Sequence, residues 1–314
     1  MKARGFRLLR DLAVLLLGTL TLLFFLLRLA GDPALVLAGP EATDEQLSAI
    51  RAEYGLDRSL PRQYFSYLGN LLRLDFGRSL ADGSPALARV LAAYPTSLLL
   101  AGLAMAATLL ISVPTGAWLG ARRNGAARRA VRWLLFVLQG VPGFVTALLL
   151  VQVFAIELVW LPAIGFGGVQ AMVLPTLSVA AFLAPKLTRL IEANVAAALL
   201  SPYVRTARAI GASEREILWR HALPNALLGA TALVGTQFAF LMAGLVIIES
   251  IFAWPGIGWL LVQSTASLDF PVVQAITLTV VITVFAVNTL VDALQHRIDP
   301  RLRHRESLAG ETTA

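Results

Sequence analysis

Two carboxylates, Glu249 and Asp269, and three histidines, His221, His296 and His304, are the side chains on which acid–base or nucleophilic chemistry would draw. A carboxylate pair can act as general acid and base, and a histidine between a serine and an acid can activate a nucleophile. The spacing supports neither arrangement. Each histidine stands near arginines, in segments that the charge pattern assigns to the opposite side of a membrane from Glu249 and Asp269, and none stands at metal-ligand spacing. Cysteine is absent from the 314 residues, which excludes disulfides, thiol catalysis and cysteine metal sites. A P-loop needs glycines and a lysine before serine or threonine, and Lys2 and Lys186, the two lysines, sit in no such sequence. An ion-driven carrier places ionisable groups near the bilayer midplane, whereas Glu157, Glu249 and Asp292 fall near the ends of apolar runs. The chain is therefore expected to hold no catalytic residue, no metal and no ATPase site.

What the sequence builds instead is a shaped surface. Residues 201–225, SPYVRTARAIGASEREILWRHALPN, are short and charged, and they lie between two apolar runs. Ser201-Pro202 is a helix N-cap with proline at the first helical position. Gly211 suits the left-handed residue that ends a helix. Ser213 with Glu216 three residues later reads as a capping box opening a second helix, and Pro224 marks the next boundary. Two short helices joined at Gly211 form a knob that another protein can grip.

The rest of the chain holds that knob at a membrane. The mean hydropathy is +0.74, and 57% hydrophobic against 14% charged residues describes a multi-spanning protein with room for about six helices of about 20 residues. The net charge of +7 would suit nucleic acid, but the basic residues cluster beside apolar runs rather than among aromatics, so nucleic acid is not expected. The first run, 12–27, follows four basic residues. Arg28 comes after it and Leu29-Ala30-Gly31 is a poor cleavage site, so it is read as an uncleaved helix with its N-terminus in the cytoplasm. Residues 31–93 form a polar interval with two expected helices, one from Thr43 to about Tyr54 and one carrying Tyr64, Phe65, Tyr67 and Leu68. The interval is too small for a large core of its own. Further spans are expected at 95–119, 133–158, 172–191, 226–248 and 272–294. This assignment puts 19 of the 26 lysines and arginines on the cytoplasmic side with both termini.

Polar and small residues inside the runs carry weaker signals. Gln139, Gln152, Gln237 and Asn288 need hydrogen-bond partners in hydrocarbon, as glue between helices or as the lining of a water-filled path. Gly116 and Gly120 form a small-xxx-small pair, and Gly140 and Gly143 flank Pro142, which permits close packing or bending. In the outer loop, Trp254-Pro255-Gly256 makes a rigid turn, and Phe252, Trp254 and Trp259 read as interfacial anchors.

The knob resembles the signature cytoplasmic loop of binding-protein-dependent ABC importer permeases. Gly211, Leu223 and Pro224 match that pattern, and Ala207 matches its second alanine. Arg205 replaces the usual glutamate and His221 an isoleucine, and the stretch YVRTARAIG is close to the dipeptide and oligopeptide branch. GDPA at 31–34, YGLDRSLPRQY at 54–64, LDFGRSL at 74–80, DFPVVQ at 269–274 and VDALQHRIDPRLR at 291–303 resemble the same branch. So does the outer E-x-x-F-x-W-P-G-I-G segment of Glu249, Phe252, Trp254, Pro255 and Gly256, expected as a re-entrant or gate-lining element. The resemblance implies an all-α polytopic membrane protein of six transmembrane helices in the bacterial inner membrane. Its parts would be an N-terminal helix (1–30), an extracytoplasmic domain (31–93), a permease core (94–296, coupling loop 201–223) and a cytoplasmic tail (297–314). It implies half of a translocation pathway for peptides or a similar solute, with Arg205, Ala207, Gly211, Ser213, Glu214, Leu223 and Pro224 coupling it to the ATPase. The implied partners are a homologous second permease, two ATPase subunits holding ATP and Mg, and a solute-binding protein. A stand-alone secondary carrier or channel is the alternative.

Overall fold

The computed structural model describes residues 2–39, 41–122 and 124–298; the expected tail lies outside them from residue 299, as do His304 and the side chains of Asp292 and His296. Its elements are helical, with one isolated bridge between Arg78 and Pro85. They are α1 (Lys2–Ala30), α2 (Pro33–Ala38), α3 (Asp44–Glu53), α4 (Leu60–Leu71), α5 (Ala86–Ala121), α6 (Ala126–Gly140), α7 (Gly143–Leu150), α8 (Val169–Leu199), α9 (Pro202–Ala209), α10 (Glu214–Glu216), α11 (Leu223–Ile251), α12 (Ile257–Ala266) and α13 (Phe270–Ile298). Among the described residues, five stretches are long and apolar enough to cross a membrane: Arg10–Ala30, Ala86–Ala121, Val169–Leu199, Glu214–Met242 and Phe270–Val291.

The sixth expected span, 133–158, is broken. The helix pair Ala126–Gly140 and Gly143–Glu157 bends by 107°. Proline forces the residue before it toward extended backbone, and Val141 stands at φ −89°, ψ 125° ahead of Pro142. Pro224 marks the expected boundary as the second residue of α11, and helical backbone runs on across that boundary from Glu214. Residues Ile217–Ala222 form a widened turn in which the Leu223 N–H reaches the Leu218 carbonyl five residues back. The proline's missing N–H falls in the next turn, and Asn225 Nδ2 donates to the His221 carbonyl at 2.7 Å.

The chain forms two compact units. One takes residues up to Leu98 together with Leu245–Phe285; the other takes Leu99–Gly244 and the residues from Ala286 on. In the first, α4 lies on α1 through aromatic rings: Phe24 is fully buried between Tyr64 and Tyr67, with the Arg28 guanidinium 3.9 Å from its centroid. The hydroxyls of Tyr64 and Thr21 share a hydrogen bond of 2.7 Å, and Arg28 Nε donates to Gln63 Oε1 at 2.9 Å. Neither α3 nor α4 contains a fully buried residue, as expected for helices that lean on a span instead of enclosing a core. The Thr43 capping box at α3 is complete with Gln46, and Gly55 follows that helix at φ +64°.

In the second unit, α5 and α8 approach backbone to backbone. A Cβ on Gly116 would stand 2.9 Å from the Thr188 carbonyl oxygen, and one on Gly120 2.8 Å from that of Glu192. Around this seam Ala117, Leu187, Ile191, Val195, Leu223, Ala226 and Ala230 form a core, so the last residues of the 201–223 segment root in the bundle.

Candidate functional site

The knob folds into the two expected helices, although Ser201 stands at the N-cap position without a side-chain cap bond, its hydroxyl donating to the Ala198 carbonyl instead. Pro202 opens α9, and α9 ends at Gly211 with φ +92°. The Gly211 and Ala212 N–H groups return to the carbonyls of Arg208 and Ala207 at 3.1 and 3.0 Å. Ser213 Oγ accepts from the Glu216 N–H at 3.2 Å, which is half of the expected box; the Glu216 carboxylate takes Arg220 at 2.9 Å. Val204, Ala207 and Ile217 are buried against one another, with Leu199 and Ala212 around them. Ala207 therefore matters as a small residue in a small core, while Arg205, Gly211, Ser213, Glu214 and Pro224 are exposed and Leu223 is buried.

Two features of the knob escaped the sequence. Arg208 grips Glu214 across the Gly211 turn, with contacts of 2.6 and 3.0 Å from Nε and Nη2 to the two carboxylate oxygens. That bond raises the Arg208 pKa further above its ordinary value. The same segment carries exposed apolar side chains: Ile210, 81% exposed, with Tyr203 and Trp219. The hydrophobic pattern of α9 could have flagged Tyr203, which falls off the face that Val204 and Ala207 bury, whereas Ile210 sits at the joint and Trp219 in the widened turn.

The segment from Glu249 to Trp259 is a clamp. Glu249 is fully buried near the end of α11, and its carboxylate caps α12, accepting the N–H groups of Gly258 at 2.7 Å and Trp259 at 3.1 Å. A negative group at a helix N-terminus is favoured by the peptide dipoles there. Ser97 of α5 donates to Glu249 Oε1 at 2.6 Å and accepts from the Ile257 N–H at 2.8 Å. Thr96 Oγ1 donates to the Pro255 carbonyl at 2.6 Å, and Trp254 Nε1 donates to the Thr96 carbonyl at 3.0 Å. Gly256 is required by space: a Cβ there would collide with the Glu249 carboxylate. Phe252 and Trp254 are 1% and 0% exposed, so they are core residues and not interfacial anchors, while Trp259 is half-buried. The indole fits because its one polar atom has an acceptor.

Asp269 does not pair with Glu249. It accepts from Ser79 Oγ and from the Leu80 N–H at 3.1 Å, and Arg89 stands 3.7 Å away. The motifs LDFGRSL and DFPVVQ thus meet across 190 positions of sequence. Nearby, Ser84 holds the Asp82 carboxyl below its ordinary range through hydrogen bonds.

The four polar span residues do not converge. Gln139 accepts from Arg189 at 3.0 Å and Gln237 from Lys186 at 3.4 Å. Gln152 Nε2 donates to Glu157 at 3.1 Å along its own helix, and Asn288 is exposed on α13. A buried ion cluster was also missed: Glu192 of α8, 6% exposed, takes Arg128 at 3.0 Å and Arg132 Nε at 2.9 Å.

Comparison with known proteins fits this architecture. Residues 112–304 match the model of the binding-protein-dependent transport system inner membrane component, and residues 6–101 match the N-terminal model of the same transport-system membrane components. The glutathione transport system permease protein GsiC of Escherichia coli (strain K12) is 33% identical over 299 residues, covering 95% of this chain and 98% of that protein. GsiC of Salmonella choleraesuis (strain SC-B67) gives the same figures. Among solved structures, the inward-facing MetNI methionine ABC transporter matches with TM-score 0.59 at 16% identity, over 67% of this chain and 96% of that one. An amino acid ABC transporter with histidines matches with TM-score 0.54 at 16% identity, over 67% and 94%. Those two establish the fold alone. A capped knob rooted in an all-helical bundle, matched by these models over most of its length, makes the chain a member of the binding-protein-dependent transport system inner membrane components, the permease subunits of ABC importers.

Proposed function

We propose that residues 201–223 dock into the ATPase subunit and carry its ATP-driven closure into the spans. The observation that carries this reading is the knob's own core. Val204, Ala207 and Ile217 hold the two helices together, which leaves Tyr203, Ile210 and Arg205 on the surface instead of spent on folding. Exposed apolar residues rimmed by charge are the chemistry of a protein interface. Leu223 roots the same segment in the bundle, so a push on the knob is delivered to α8 and α11. Energy is used only through contacts that differ between states, and the knob is where such contacts are available.

In this reading the chain forms half of a pathway beside a homologous second permease, as a heterodimer. Two ATPase subunits bind ATP and Mg, and a solute-binding protein delivers the cargo to the outer face. Both termini and the knob are cytoplasmic, and residues 31–93 are extracytoplasmic. The cargo is a short peptide or a peptide-like thiol such as glutathione; the resemblance to peptide permeases and the names of the curated relatives support this. The clamp of Glu249, Phe252, Trp254, Pro255 and Gly256 ties α11 and α12 to α5, as a rigid frame for the outer gate. Gln139 and Gln237 steady Arg189 and Lys186 beside the path, and Gln152 and Asn288 are further lining candidates.

The test is co-purification. Ile210→Asp places a charge on the most exposed apolar residue of the knob without touching its core. Recovery of ATPase subunits with a tagged chain should fall at least about tenfold, as for a central interface residue. Undiminished recovery would remove the knob from the ATPase interface.

A further inference from the structure

We infer that the pocket between α6 and α8 is a binding site for the phosphate headgroup of an anionic membrane phospholipid. The pocket has a volume of about 450 Å3 and is lined by Arg128, Arg132, Arg189 and Glu192, with Leu135, Phe136, Ala193 and Ala196 as its apolar wall. Three guanidiniums face one carboxylate. Glu192 is shared by Arg128 and Arg132, and Arg189 has the neutral Gln139 as its acceptor, so the site carries a net excess of two positive charges. Glu192 orients the two arginines without neutralising the cluster. Guanidinium groups bind phosphate oxygens in a planar, two-pronged geometry.

The choice of a lipid over a soluble anion rests on α6. That helix carries Arg128, Arg129 and Arg132 on one side and exposed Trp133, Leu134 and Val137 on another, and it turns by 107° into the next helix. An amphipathic helix with arginines and aromatics divided in this way lies at the membrane–water boundary. The pocket beside it offers a cationic end and an apolar wall, which matches an amphiphile. Basic pockets between membrane helices are suited to anionic headgroups.

The test uses the assembled transporter in mild detergent, incubated with equal amounts of phosphatidylglycerol and phosphatidylcholine. This subunit is then released in the gas phase and its retained lipid weighed. Phosphatidylglycerol should be retained in clear excess, and Arg132→Gln and Arg189→Gln should each reduce the excess about fivefold. Arg129→Gln removes the same charge from the same helix outside the pocket and should leave most of the excess. Equal retention of the two lipids would overturn the assignment. So would a loss with Arg129→Gln as large as with Arg132→Gln. Displacement of the lipid by millimolar inorganic phosphate would make the pocket a free-anion site and overturn the lipid assignment.

Discussion

Glu249 shows how one side chain can hold a motif together. Its carboxylate satisfies two N–H groups at the start of α12 and the Ser97 hydroxyl, all in the interior. Glu249→Ala should therefore leave three buried donors without an acceptor and cost about 3 kcal/mol, read as a lowered melting temperature in detergent. Ser97→Ala should cost about 1 kcal/mol. Gly256→Ala should destabilise although its backbone is ordinary, because the added methyl meets the Glu249 carboxylate. The spacing of glutamate, tryptophan, proline and glycine made the turn legible in the sequence. That Glu249 caps a helix was not legible, because its partners on α5 are 152 positions away. Tyr67 gives a second check at this scale. Burial first, and Tyr64 next, push its phenol up to about 12. The unfolded chain releases this proton near pH 10 and the folded chain later, so folding stability falls as pH rises from about 10 towards 12. A thermal-melt series over that range should show a shallower fall with Tyr67→Phe.

Helix punctuation carried most of what could be foreseen about the elements. Pro202, Gly211 and Ser213 set the two short helices, and Thr43 with Gly55 set α3. Proline was legible as punctuation, at Pro142 as a permitted bend and at Pro224 as a boundary, but its outcome was not. Its effect depends on the hydrogen-bond register around it: Pro142 breaks a helix outright, whereas Pro224 is carried through by a widened turn. The Arg208–Glu214 pair belongs to this scale because it spans the joint between α9 and α10. Glu214→Arg should weaken ATPase co-purification by placing like charges at the joint, and the double exchange Arg208→Glu with Glu214→Arg should recover most of it. Failure to recover would assign Glu214 to direct contact with the ATPase instead of to bracing. Residues 31–93 make a further element-scale case. Since α3 and α4 bury nothing fully and α4 leans on Phe24, this segment alone should give a poorly dispersed NMR spectrum.

At the scale of the whole chain, apolar run length and basic clustering were sufficient to recognise an all-helical membrane protein. The count of spans was less legible, because a broken pair and a full span have the same composition. The polar span residues were the least legible: Gln139 and Gln237 found their partners on α8, which no periodicity reveals. Reporter fusions after Ala93 and after Phe270 should signal an extracytoplasmic position, and a fusion after Ser213 a cytoplasmic one; a cytoplasmic signal at Ala93 would reverse the proposed orientation. The central claim is that the 201–223 knob transmits ATP-driven motion, and Gly211→Val tests it most directly. A β-branched residue at φ +92° is strained by about 1–2 kcal/mol, while a Cβ there meets no neighbour, so the change distorts the joint without crowding the bundle. In vesicles containing the assembled transporter at wild-type subunit abundance, solute-stimulated ATP hydrolysis and uptake should both fall at least about fivefold with Gly211→Val. Full uptake at normal abundance would contradict the coupling role.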